Sequence, residues 1–327
     1  MSSMSFRIVD TFLFSEPYEK ELLLLKFTVE DAGVDEWVML ENSYTLQGEK
    51  KPFHAAKVLE DKRFDPFRHK VKIIQGHIKG KEVYKEVENN DAHAFNVEFA
   101  QREMVREYLE EKYDDADLVV VSDTDESIDF SNNKRKEEIY KAIQDNPGKI
   151  VNLKLRRYWY DIDNEYLIPY AQTLIPVSKL RNDDRKLAEI RNANKAVSSF
   201  DTKSVVAFEY SHVFPLAHIE RKFRTFAHTG YTLKDLRQSF RCNHRPASKK
   251  YGKSVQKNDR YFFKSIEIDQ NNSPAYVLQN DNLLRTGHID PDYEHNRRID
   301  YPKFYTLSYI LKERVKNLLY LMKDAIS

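Results

Sequence analysis

Leu118-Val119-Val120-Val121-Ser122-Asp123-Thr124-Asp125-Glu126 is the stretch on which the reading of this chain turns. Four consecutive apolar residues bounded by polar ones read as a buried strand. The carboxylates that follow stand at its C-terminal end, which in open α/β sheets is the rim where ligands bind. Asp123 and Asp125, one residue apart on a tight turn, offer hard oxygen donors to a single divalent cation, directly or through water. Mg²⁺ or Mn²⁺ held this way keeps positions open for substrate phosphates. A nucleotide-sugar transferase needs this arrangement, because the cation neutralises the departing diphosphate. Acidic pairs also cap helices and close turns; the place of this one, directly after an apolar strand, favours the metal reading.

Outward from the motif, strand and helix patterns alternate through the first 125 residues. Residues 6–14, 36–41, 71–75 and 117–122 read as strands, 17–30 as a helix and 95–113 as one long helix with Phe95, Phe99, Val105 and Leu109 at roughly helical spacing. That alternation predicts a mainly parallel sheet covered by helices. Beyond the motif, 134–144 reads as a helix stopped by Asn146-Pro147-Gly148. Residues 151–160 and 166–176 read as a strand pair around Asp161-Ile162-Asp163-Asn164, then 183–194 as a helix, 205–210 as a strand, 216–226 as a helix and 302–325 as helical closure. With no repeat and no low-complexity linker, one continuous domain is expected over 1–327. Its parts are a nucleotide-sugar and metal half (1–130), an acceptor-side half (131–236), a basic aromatic segment (237–264) and the C-terminal closure (265–327).

Composition excludes several classes. The 53 basic and 52 acidic residues balance, so net charge points to no polyanion partner. The single cysteine, Cys242, rules out a disulfide framework and favours a reducing compartment. The N-terminus lacks signal-peptide character and no apolar run is long enough for a membrane span, so a cytoplasmic location (bacterial, or viral in a host) is expected, with no membrane contact. Only 8 glycines, and no GxGxxG or P-loop pattern, argue against a dinucleotide or P-loop site. One segment departs from the average: between Arg237 and Lys264 four Arg and five Lys face one acid, with Phe240, Tyr251, Tyr261, Phe262 and Phe263 interleaved. Arg241, Arg245, Lys249, Lys250 and Arg260 are the candidates there for holding an acceptor or a polyanion, against the alternative of a solvated loop.

Several segments, in order along the chain, resemble glycosyltransferase family 17, the β-1,4-mannosyl-glycoprotein 4-β-N-acetylglucosaminyltransferase-like enzymes. They are Val9-Asp10-Thr11-Phe12-Leu13-Phe14 with the Leu-rich helix after it, Trp37 to Thr45 with Gly48 and Lys51-Pro52, Glu98 with Gln101-Arg102, Ser122-Asp123-Thr124-Asp125-Glu126, Tyr210-Ser211, Ile219 to Lys222, and Phe226-Ala227-His228-Thr229. The chain diverges from that pattern at Phe208-Glu209, where the family has Trp-His, and at Ser127-Ile128, where it has Ile-Pro. The resemblance implies a GT-A-like fold with one Rossmann-like mixed sheet, and metal-dependent, inverting transfer of a sugar from a UDP-sugar to a hydroxyl. N-acetylglucosamine is the sugar it implies.

Under that reading Asp125 coordinates Mn²⁺ or Mg²⁺, and Asp123 meets the ribose or a metal-bound water. His228 completes the metal shell or touches the diphosphate. Asp10, Thr11 and Glu41, placed at strand ends, lie where uracil and ribose bind, and Arg102 pairs with the motif carboxylates, a phosphate or a helix-surface partner. The base that takes the acceptor proton is Glu126 or Glu209. Tyr158 and Trp159 form a sugar platform or pack in the core. The acceptor is a glycan or, through the basic segment, hydroxymethylated bases of DNA drawn from the stack. A non-catalytic nucleic-acid-binding protein on a degenerate transferase fold and a metal-dependent nucleotidyltransferase are the competing classes.

Overall fold

The computed structural model describes residues 6–80, 90–195, 199–227, 233–234, 236–237 and 263–286. The expected helix over 302–325, His228 and the basic residues Arg241, Arg245, Lys249, Lys250 and Arg260 lie outside them.

Among the described residues the chain has the α/β architecture expected: one nine-stranded mixed sheet with helices on its faces. Its strands are β1 (Ile8–Leu13), β2 (Glu36–Asn42), β3 (Val71–Gly76), β4 (Leu118–Asp123), β5 (Glu126–Ile128), β6 (Val151–Trp159), β7 (Asn164–Pro176), β8 (Ala207–Ser211) and β9 (Phe263–Ser265). The order is β3-β2-β1-β4-β7-β6-β8-β5, with β9 on β7. The first four form a parallel block, as the early alternation predicts. β7 runs antiparallel to both β4 and β6, and β8 parallel to β6, so β1, β2, β4, β6 and β8 all point the same way. Their C-terminal ends share one rim.

Burial explains the apolar runs. Ile8, Phe12, Trp37, Met39, Leu118 and Val120 pack on one face, while Val9, Val38, Leu40, Val119 and Val121 pack on the other. Both faces of the parallel block are therefore covered, which removes the polar alternation of a one-sided sheet. Among the described residues the helices of seven residues or more are α1 (Lys20–Glu30), α2 (Asn90–Glu103), α3 (Arg106–Lys112), α4 (Asn133–Asp145), α5 (Leu187–Lys195) and α6 (Leu216–Thr225). The single helix expected over 95–113 is two, α2 and α3. Met104 turns onto Gly76, where a β-carbon would collide with its sulfur, and the Arg106 guanidinium donates to the Leu180 carbonyl at 2.8 Å. Tertiary contacts of this kind override helical spacing. Among the described residues no helix is long and apolar enough to cross a membrane.

β5, absent from the sequence reading, shows that the sheet curls. Only Thr124 and Asp125 separate it from β4, a span of at most about 11 Å between the flanking residues. Yet β5 pairs with β8, four positions from β4 in strand order, or about 19 Å if the sheet were flat. The sheet must bend back, and α1 fills the bend. The Lys26 ammonium, buried on α1, forms ion pairs with Asp10 of β1 and Glu30, and donates to Ser122 Oγ at 3.0 Å and the Glu126 carbonyl at 2.7 Å. Glu30 accepts from Trp37 Nε1 at 2.8 Å and from the Ile128 amide at 2.9 Å. Removing one partner from a buried ion pair strands the other, at a cost of about 3–5 kcal/mol. Lys26→Met should lower unfolding stability by that order in a urea titration, and an unchanged midpoint would show that the network is dispensable.

Burial pushes the Glu30 carboxyl up to about 8, with Lys26 opposing and Asp10 adding to the rise. The usual value near 4.5 applies in the unfolded chain, which therefore holds fewer protons than the fold between about pH 4.5 and 8. Stability from this group is thus present at low pH and falls as pH rises through that window. Glu30→Gln should flatten that slope in denaturation curves taken from pH 5 to 8.

Candidate active site

The rim where β1, β2, β4, β6 and β8 end encloses a cavity of about 250 Å³. Leu13 ends β1 and Ser15 follows it, Asn42 ends β2 and Thr45 follows it, Asp123 ends β4 and Thr124 and Asp125 follow it, and Arg157, Trp159, Glu209, Ser211 and His212 come from the ends of β6 and β8. Phe95, Glu98, Phe99 and Arg102 of α2, Arg191 of α5, and Lys222 and Phe223 of α6 close the other side. The loop after β2 fastens to the end of α6, since the Leu46 amide donates to the Thr225 carbonyl at 3.0 Å and Gln47 Nε2 to the Phe226 carbonyl at 2.9 Å.

β6 and β8 leave the sheet side by side through left-handed residues, Tyr160 at φ 65° and His212 at φ 58°. Such backbone costs of order 1–3 kcal/mol for a side-chain-bearing residue and is held only where packing imposes it. Here the Trp159 and His212 rings meet edge to face at 5.1 Å, and Tyr160 stacks on His212 at 5.8 Å. The Trp159 ring reaches the cavity. Tyr158 stacks instead on Tyr210 at 5.2 Å inside the core, so of the expected sugar platform only Trp159 is in position.

Every carboxylate on the motif turn meets a cation. Asp123, one-third exposed, has one oxygen against the Arg102 guanidinium and the other 2.6 Å from Arg191. Arg102, buried, also donates to Glu98 at 3.0 Å and to the Ser122 carbonyl at 2.7 Å. Of its expected partners Arg102, itself buried, takes the motif carboxylate and also a carboxylate of its own helix, Glu98. Arg191 spans from Asp123 to both oxygens of Glu126, at 2.9 and 3.0 Å. Asp125 lies 3.2 Å from Lys222 Nζ, and Glu19 stands 3.9 Å from the same ammonium. Burial foremost, with Asp123, Glu209 and Glu126 adding, pushes the Asp125 carboxyl up to about 6 against the pull of Lys222. Burial likewise pushes Glu19 up to about 7, with Lys222 opposing and Asp125 adding. Burial would lower the Lys222 ammonium, but Asp125, Glu19 and Asp123 outweigh it and raise it.

The two carboxylates expected as base separate here. Glu209 lines the cavity, held by Arg157 at 2.7 and 2.9 Å and by the Ser211 hydroxyl at 2.5 Å. Glu126 is buried in β5 behind the turn, paired with Arg191 and opposite Glu209 in the β5–β8 ladder. Its position beside the motif in sequence does not put it on the cavity wall. Asp10 and Thr11 lie in the middle of β1, not at its end, because Lys26 neutralises Asp10 and lets the strand run on to Leu13. Glu41 turns away from the cavity and accepts from the His54 and Ala55 amides, closing the loop that follows β2. The cavity wall at the ends of β1 and β2 is formed instead by Leu13, Ser15, Asn42 and Thr45.

Sequence reading did not single out Arg157, Arg191, Lys222 or Glu19 as site residues. A signal existed for Arg157, a charged residue inside an otherwise strand-like run, and for Lys222, which ends the family-like segment Ile219 to Lys222.

The model of glycosyltransferase family 17 matches residues 1–238. The chain belongs to that family. Residues 239–327 lie outside the family 17 match. No curated protein matches the chain by sequence. Among solved structures, the galactosyltransferase LgtC, in complex with donor and acceptor sugar analogs and as an active-site mutant, aligns at 14% identity and a TM-score of 0.27, covering 54% of this chain. The family 17 chain spans 60% of the LgtC chains it matches, and a likeness of that depth carries no functional argument.

Among the described residues no group of three or more His, Cys, Asp or Glu side chains could hold a metal ion. Mg²⁺ or Mn²⁺ is, however, commonly held by one or two carboxylates with phosphate oxygens completing the shell. The motif turn fits that use, because Asp125 is a buried carboxyl that its acidic neighbours destabilise as an anion and a cation would relieve. Arg191 ties the turn to β5 by bridging Asp123 and Glu126. Arg191→Met should remove that charge from buried Glu126 and lower stability by about 3–5 kcal/mol in denaturant unfolding.

Proposed function

We propose that this protein is a metal-dependent, inverting glycosyltransferase that moves a sugar from a UDP-sugar to a hydroxyl of a glycan acceptor. The observation that carries the reading is the motif turn itself: Asp123 and Asp125 stand at the end of β4 on the wall of a cavity that Arg102, Arg191 and Lys222 also line. Family membership supports the reaction class, and the resemblance to the β-1,4-mannosyl-glycoprotein members suggests N-acetylglucosamine as the sugar.

In this reading Asp125 holds Mn²⁺ or Mg²⁺, and Asp123, fixed by two guanidinium groups, meets the ribose or a metal-bound water. The cation, when bound, supplies charge neutralisation at the diphosphate. The nucleoside lies against Asn42 and Thr45, where the ends of β1 and β2 open into the cavity. Trp159 and Phe99 offer faces on which sugar rings pack. Glu209 takes the acceptor proton, since it reaches the cavity and Arg157 fixes its orientation; Glu126 serves by anchoring Arg191. The described residues hold nothing that favours a DNA acceptor.

Calorimetric titration of UDP, with and without Mn²⁺, tests the donor site. Wild-type protein should bind UDP only with Mn²⁺, and Asp125→Asn should weaken that binding at least tenfold. Equal UDP binding by wild type and Asp125→Asn would remove the motif from the donor site.

A further inference from the structure

Of the three cations around the motif turn, two are fixed and one is held loosely. Arg102 is locked between Glu98, the Ser122 carbonyl and Asp123, and Arg191 between Asp123 and Glu126. Planar guanidinium forks satisfied on several sides do not change partner without breaking several charge-assisted bonds. Lys222 differs. Its ammonium has three donors, and among the described residues its one hydrogen bond goes to Asp125, at 3.2 Å, while Glu19 is an ion-pair partner at 3.9 Å. It sits on the cavity wall with the rings of Phe214 and Phe226 5.7 and 5.6 Å away. Those distances run from the ammonium to the ring centroids, so two aromatic rings flank the same head that meets Asp125. Lys222 is also carried by α6, a different element from the motif turn, so the pair can part without distorting either backbone.

A carboxylate already neutralised by an ammonium is a poor cation ligand until that ammonium moves. We propose that Lys222 exchanges partners: without donor it is the counter-ion of Asp125, and with donor it releases Asp125 to the divalent cation and donates to the diphosphate. The proposal rests on the reading of the cavity as a UDP-sugar site. In the transfer step the bond between the anomeric carbon and the diphosphate oxygen breaks, and its electron pair goes to that oxygen. The acceptor oxygen forms the new bond and gives up its proton to the base. Lys222 stays protonated and stabilises the charge arriving on the diphosphate, which makes it a leaving-group residue in direct contact with substrate.

Exchange makes a prediction that structural support does not: removing the ammonium should move two affinities in opposite directions. Titrating Mn²⁺ alone, Lys222→Met should bind about 3- to 10-fold tighter than wild type, because Asp125 has lost its competitor. Titrating UDP at saturating Mn²⁺, the same variant should bind about 10- to 100-fold weaker, the loss of one hydrogen bond to a charged group. Lys222→Arg, which keeps the charge, should restore most of the UDP affinity. If Lys222→Met does not fold by circular dichroism, Lys222→Gln carries the same two titrations. Both affinities falling together, or neither changing, in a background where wild type binds UDP would overturn the exchange and leave the transferase reading standing. Wild-type protein that binds no UDP with Mn²⁺ would overturn the reading and the exchange with it.

Discussion

The Lys26 ammonium is the contact on which the rest of the arrangement depends. It lies within the bend of the sheet and touches β1 through Asp10, its own helix through Glu30, the end of β4 through Ser122 and the start of β5 through the Glu126 carbonyl. The last two bracket Asp123-Thr124-Asp125, so one buried charge grips both ends of the turn that carries the functional carboxylates. A charge so placed is costly to desolvate and stays only where several acceptors meet it. Lys26 has four.

Above that base the site consists of carboxylates and cations kept in a low-dielectric cavity. Asp123 is fixed by two arginines that are themselves fixed, whereas Asp125 shares a single ammonium with Glu19. The asymmetry matters chemically. A rigid Asp123 sets the geometry of the turn, and a weakly committed Asp125 is the carboxylate able to accept a new cation. Preorganised charge of this kind acts strongly because water does not screen it.

Much of the fold was legible in the sequence. The apolar runs at 8–13, 36–42 and 118–121 are buried strands because both faces of the parallel block are covered, which makes a strand a continuous hydrophobic stretch. The hairpin of β6 and β7 and the helices α1, α4 and α6 were also visible. The break between α2 and α3 was not, since it comes from Met104 packing on Gly76 and from Arg106 reaching Leu180, contacts across 28 and 74 positions of chain. β5 escaped because three residues, Glu-Ser-Ile, carry no periodicity to read.

For the site, local pattern alone identified the acidic turn, because an apolar strand followed by two aspartates is a short-range signal. The family resemblance brought in Arg102 and Glu209, and both stand on the cavity wall. Which charges meet was decided by the tertiary structure. Asp10 and Glu41 read as donor-binding residues but are bound to Lys26 and to the amides of His54 and Ala55, while Lys222, given no role by the sequence, faces Asp125. Sequence specifies which side chains carry charge; only the curl of the sheet, and the helices laid over its rim, determine the few ångströms that turn a charge into a partner.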